Sequence, residues 1–150
     1  METGFLEEND IESCMALVRK VKDTFPGLET EEAVEQHRLT TERFVSESRA
    51  LCVKERGCVI GVLLFSIKHN MICFLAVDPG HRRKGAACAL LGKALSLLDR
   101  SSDITVDTFC EDDERGPAAR SLYLKFGFEP DKYVENFGCR NQRFVLRAIK

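Results

Sequence analysis

Long apolar runs, a strong net charge, paired cysteines and tryptophan are all missing from this sequence. No apolar stretch approaches the roughly 20 residues that cross a bilayer. The acidic start, Met1-Glu2-Thr3, has no basic segment ahead of an apolar one, so neither a signal peptide nor a membrane span is expected. Twenty-two Lys and Arg stand against 24 Asp and Glu, which removes the overall field that would draw nucleic acid or an anionic membrane. The seven cysteines (Cys14, Cys52, Cys58, Cys73, Cys88, Cys110, Cys139) are odd in number, scattered, and include no C-x-x-C pair. That pattern speaks against zinc and redox motifs and fits free thiols in a reducing cytosol, so a soluble, cytoplasmic, metal-free protein is expected. Repeats, low-complexity tracts and linkers are absent as well, and residues 1–150 read as one domain.

What is present is a globular composition, 44% apolar and 31% charged, with a clear change of period along the chain. Phe5 and Leu6 read as the end of a first strand. Asn9 with Glu12 resembles a capping box, and Ile11, Met15, Val18 and Phe25 recur at helical spacing until Pro26-Gly27. Thr30 is placed to cap a second helix through Val34, His37, Thr41 and Phe44. Apolar and β-branched runs then read as strands over 51–53, 58–67 and 72–77, separated by turns at Gly57 and His69-Asn70. Lys84 to Leu98 reads as a helix apolar nearly all round, and 104–109 as the strand it leads to. Strand, helix and strand from 72 to 109 make one right-handed crossover in a sheet otherwise built as a meander. A last helix is expected from Pro117 to Gly127, with closing strands at Phe128 and 144–149 and an irregular bend over Tyr133 to Gly138.

The most informative stretch joins the strand ending Leu75-Ala76-Val77 to the helix that follows, through Asp78-Pro79-Gly80-His81-Arg82-Arg83-Lys84-Gly85-Ala86-Ala87. The first amides of a helix lack intrahelical partners and sit at the positive end of its dipole, so such an end binds phosphate. Gly85, Ala86 and Ala87 leave those amides uncovered, while Arg82, Arg83 and Lys84 add attraction. Gly80 and Gly85 have P-loop spacing, yet Ala86-Ala87 stands where Lys-Ser/Thr is required, which disfavours ATP hydrolysis. No G-x-G-x-x-G is present, which disfavours a dinucleotide.

What remains is V-x-P-x-x-R-x-x-G-x-A-x-x-L-L, filled by Val77, Pro79, Arg82, Gly85, Ala87, Leu90 and Leu91. This resembles the acetyl-coenzyme A signature of the GNAT N-acetyltransferase superfamily. A second block, Ala119-Arg120-Ser121-Leu122-Tyr123-Leu124-Lys125-Phe126-Gly127-Phe128, is similar to that family's A-x-x-L-Y-x-K-x-G-F element. The resemblance covers essentially the whole chain. It implies a single-domain α/β (α+β) fold, with a mixed, mostly antiparallel sheet, a central splayed parallel pair and about four helices.

The resemblance also implies a site. The backbone of Leu75, Ala76 and Val77 would pair with the pantetheine arm of acetyl-CoA, in the gap left by 104–109. Arg82, Arg83, Lys84, Gly85, Ala86 and Ala87 would hold the pyrophosphate, and Tyr123 would protonate the departing thiolate. The co-substrate is thus acetyl-CoA, and the acceptor a small-molecule or peptide amine. Homodimerisation is possible, as in many relatives. An alkyl ammonium of pKa about 10.4 is deprotonated roughly once in 2,500 molecules at pH 7, a penalty of about 4.6 kcal/mol that something must relieve. Met71 occupies the place where histone-type members carry a glutamate, so the base is left among Asp107, Glu111 to Glu114, Glu29 to Glu32, or water. Gly116 replaces an asparagine common in relatives. No motif pairs His37, His69 or His81 with a cysteine, so direct attack without an acyl-enzyme is expected. The alternative is a degenerate acyl-CoA-binding module.

Overall fold

The computed structural model describes residues 1–149. Strand β1 (Glu2–Phe5) is followed by helix α1 (Ile11–Val21), whose Cys14, Met15, Leu17, Val18 and Val21 form one buried face. The expected Asn9/Glu12 capping box does not form. The Asp10 carboxylate instead accepts the Glu7 N–H at 3.0 Å and pairs with Lys54 at 2.9 Å, while Glu12 turns outward to Arg38. The helix stops at Val21, four residues before Phe25. A tight turn follows at Lys22–Thr24, in which the Thr24 hydroxyl bonds the Val21 carbonyl at 2.8 Å, and Phe25 is extended. Helix α2 (Glu31–Ser46) begins where expected, with the Thr30 hydroxyl accepting the Ala33 N–H at 3.1 Å.

Strands β2 (Ala50–Glu55), β3 (Cys58–Ser66) and β4 (Met71–Val77) form the expected meander. They are apolar on both faces because both faces are covered. Leu51, Val53, Leu63 and Phe65 pack toward the second half of the chain, whereas Cys52, Val62, Leu64 and Ala76 pack under α1 and α2. Helix α3 (Ala86–Leu97) starts two residues later than the pattern suggested, since Gly85 at φ 84 is its left-handed cap. Its Leu90, Leu91, Ala94 and Leu95 are buried, while Gly92, Lys93 and Ser96 stay exposed. Strand β5 (Ile104–Phe109) then leads to α4 (Pro117–Lys125), closed by Gly127 at φ 94.

The bend expected over Tyr133 to Gly138 is mostly strand. Strands β6 (Glu129–Asn136) and β7 (Cys139–Leu146) form a hairpin, and only Phe137-Gly138 turns. Its polar edge strand carries no apolar alternation by which the sequence would have announced it. Among the described residues the seven strands lie in the order β1-β2-β3-β4-β5-β7-β6, and β4 with β5 is the one parallel pair. Among the described residues no helix is long and apolar enough to cross a membrane.

Candidate active site

The β4–β5 pair is joined only at its start, through Met71 with Thr105 and Ile72 with Val106. A bulge lies at the same point: Leu64 of β3 opposes Phe74 and Phe65 opposes Ile72, leaving Cys73 unpaired. Such an extra residue bends its strand and sharpens the local twist, and here it carries β4 away from β5. From Phe74 onward β4 keeps its partners on β3, and its other edge faces a gap. Leu75, Ala76 and Val77 are therefore where the sequence expected them, on a strand with one free edge.

Beyond that edge the chain builds a cluster of open amides. Asp78 holds the turn, accepting the Gly80 N–H at 2.9 Å and the Lys20 ammonium at 2.9 Å; that ammonium, with the Gly80 amide, keeps its carboxyl below the usual range. Among the described residues the N–H groups of Arg82 to Cys88 donate to no protein acceptor. Arg82, Arg83, Lys84 and Gly85 are exposed, and a Cβ placed on Gly85 would meet nothing within 4 Å. Free donors, exposed cations and open space in front of them fit a diphosphate. Arg82 and Arg83 make no ion pair among the described residues, whereas Lys84 lies 3.7 Å from Glu55.

The gap opens into a cavity of about 430 Å³ between the α1–α2 loop, α2, the β6–β7 turn and the parted strands. Tyr123 lines it from α4. The ring is 4% exposed and packs edge-on against Phe128, with centroids 5.6 Å apart. Burial, with no hydrogen bond from the hydroxyl to another side chain among the described residues, pushes its pKa well above the ordinary phenol value. This phenol keeps its proton at neutral pH and lies on the cavity wall.

Of the carboxylates named as possible bases, only Asp107 reaches the cavity wall. It is already occupied, accepting Arg143 at 2.8 and 3.1 Å and the Asn136 amide at 3.3 Å. Glu29 bonds the Gly27 N–H at 2.8 Å, Glu31 pairs with Arg19, Glu111 accepts the Tyr133 hydroxyl at 2.6 Å and Asp113 pairs with Arg115. Glu32, Asp112 and Glu114 do not line the cavity either. The sequence reasoning passed over His37, which does. Its imidazole packs at a tilt against Phe74 with centroids 4.5 Å apart, and burial lowers its pKa, so the neutral, proton-accepting form prevails. The one signal for it was a histidine standing in the apolar stripe of α2. Cys73 also lines the cavity, but burial raises its thiol to about 11, which leaves roughly one molecule in ten thousand as thiolate at pH 7.

Gly116 has a packing reason. A Cβ there would stand 2.6 Å from the Phe109 Cβ, so no asparagine fits without moving β5 or α4. We expect Gly116→Asn to cost about 1–3 kcal/mol of stability, measured by urea unfolding, through overpacking. Among the described residues no group of three or more His, Cys, Asp or Glu could hold a metal ion.

Comparison with known proteins agrees with this geometry. No curated protein sequence matches the chain. Among solved structures it is similar to the PaiA N-acetyltransferase from Thermoplasma acidophilum in complex with coenzyme A, at TM-score 0.76 and 17% identity, covering 97% of this chain and 98% of that one. The ribosomal-protein-alanine N-acetyltransferase from Brucella melitensis gives TM-score 0.76 at 14% identity, covering 98% and 99%. A GNAT-like decarboxylase, GphF, in complex with isobutyryl-CoA gives 0.68 at 14%, also covering 98% and 99%. At such identities the likeness establishes the fold. The sequence model of the acetyltransferase (GNAT) family matches residues 15–128, a span that holds both the amide-rich turn and the Tyr123 block, and the chain belongs to that family.

Proposed function

We propose that this acyltransferase moves the acetyl group of acetyl-CoA onto a primary amine by direct attack. The observation that carries the reading is the free edge of β4, which runs from an open amide cluster at one end to a cavity holding an unpartnered phenol at the other. When bound, acetyl-CoA supplies an acyl carbon already activated by its sulfur. The chain then has to position, polarise and move protons. Amides 82–88 grip the diphosphate, and the β4 backbone groups facing away from β3 align the arm and polarise the carbonyl. As the C–N bond forms and the C–S bond breaks, Tyr123 gives its phenolic proton to the sulfur and His37 takes the proton that the nitrogen loses.

His37 fits the role better than the carboxylates, because Asp107 is held by Arg143 and the others lie off the cavity. Cys73 serves as wall, since its thiol is almost wholly protonated. The test is release of coenzyme A with a panel of amines, the protein's thiols being blocked beforehand. Acylation of an amine product, seen by mass spectrometry, is the expected result. Binding of acetyl-CoA with no release to any acceptor, or transfer to a hydroxyl alone, overturns the reading.

A second expectation concerns pH. Because burial lowers the His37 pKa from 6.5, its basic form persists as pH falls through 6.5, and the acid limb of kcat lies below that value. His37→Gln removes the limb and lowers kcat by about 10²-fold, with coenzyme A affinity retained. An unchanged limb and rate in that variant would return the proton to solvent.

A further inference from the structure

Phe137 is an unusual residue for its place. It stands at φ 53 in the two-residue turn of the β6–β7 hairpin, beside Gly138 at φ 75, where asparagine or glycine adopts the conformation without steric cost. Its ring is 78% exposed, the most of any large apolar side chain among the described residues. Neither the strained backbone nor the exposed ring serves the hairpin. The ring lies on Gly27, close enough that a Cβ there would come within 2.7 Å of it, so the α1–α2 loop and the hairpin tip meet over the cavity mouth.

Beneath that contact the wall is aromatic. Phe25 and Phe74 pack at a tilt with centroids 4.8 Å apart, and His37 packs against Phe74 at 4.5 Å. Among the described residues no Lys or Arg lines the cavity, and the one carboxylate that does, Asp107, is already neutralised by Arg143. A second ammonium on the acceptor would be buried without an anion, and a carboxylate without a cation. Thr40, Thr108, Asn136 and Asn141 offer such a group neutral hydrogen bonds but no opposite charge, so part of each cost stands. Resting on the amine-transfer reading above, we infer that the acceptor is a primary monoamine on an uncharged apolar body, aromatic or branched aliphatic, and that Phe137 closes over that body as its specificity residue.

The test has two readouts. Initial rates with 2-phenylethylamine and isopentylamine are compared with those for spermidine, lysine, glutamate and a short alanyl peptide. Calorimetry on the protein saturated with free coenzyme A gives the affinities without turnover. We expect kcat/KM and affinity to favour the apolar monoamines by roughly a hundredfold. Phe137→Asn removes the ring and installs a residue suited to the turn. Its melting temperature should hold or rise, while KM for 2-phenylethylamine rises roughly tenfold and the coenzyme A Kd is unchanged. Equal or better use of spermidine, an amino acid or the peptide overturns the inference, and so does an unchanged KM in Phe137→Asn. If no amine is acylated while coenzyme A binds, the transfer reading fails; calorimetric preference for the apolar amines would still uphold the pocket assignment, and its absence would end that too.

Discussion

Replacing Tyr123 with phenylalanine should lower kcat by about 10²-fold or more and leave coenzyme A affinity where it was. The site makes this substitution unusually clean. The ring is fully packed, edge-on to Phe128 and 6.2 Å between centroids from Phe144, so phenylalanine fills the same space. The hydroxyl it loses has no hydrogen-bond partner among the described residues, so its removal leaves no partner stranded. Stability should therefore stay nearly level. A slower enzyme that melts no earlier would show a hydroxyl that serves the reaction and not the core. A Tyr123→Phe protein with wild-type kcat removes the phenol from the reaction and makes the ring simply part of the core.

Gly85 carries the second large effect, and two substitutions separate its two causes. At φ 84 any side chain is strained, by about 1–2 kcal/mol, although a Cβ would meet no atom within 4 Å. Gly85→Ala reports that strain alone: a modest fall in melting temperature and a several-fold loss of coenzyme A affinity. Gly85→Glu adds a carboxylate in front of the amides of Arg82 to Cys88, where the proposed diphosphate lies, and should weaken binding by about 100-fold or more beyond alanine at similar stability. Isothermal calorimetry against thermal unfolding decides it. If glutamate binds coenzyme A as alanine does, the amide cluster is not the phosphate site.

Much of the arrangement was legible in the residues. Val77 to Leu91 announced a strand, a turn and a helix, because each step carries its own local cause: apolar strand residues, Pro79-Gly80 at the turn, and small apolar residues at the helix start; the left-handed cap at Gly85 emerged only in the structure. Thr30 and Gly127 marked a helix start and a helix end for the same reason, since capping is a matter of three or four neighbouring residues. The hairpin of β6 and β7 was legible only in part. An exposed edge strand such as Glu129–Asn136 has no buried face, so no alternation marks it. The base was left open among carboxylates that lie near the motifs along the chain, or water. In space Glu29, Glu111 and Asp113 are spent on turns and neighbouring side chains, while His37 comes to the cavity from a helix some forty residues from the turn.

The residues by themselves determined the membership of the chain, the order of its elements up to α4 and the position of the turn between β4 and α3, because these depend on short-range geometry that neighbouring residues enforce. Tertiary structure alone decided which side chains face the gap. The bulge at Cys73 parts β4 from β5, Arg143 takes Asp107 out of service, and Phe137 meets Gly27 across a distance of more than a hundred residues. Contacts between segments so far apart leave no periodicity in either of them, since each residue answers to a partner that its own neighbourhood does not contain.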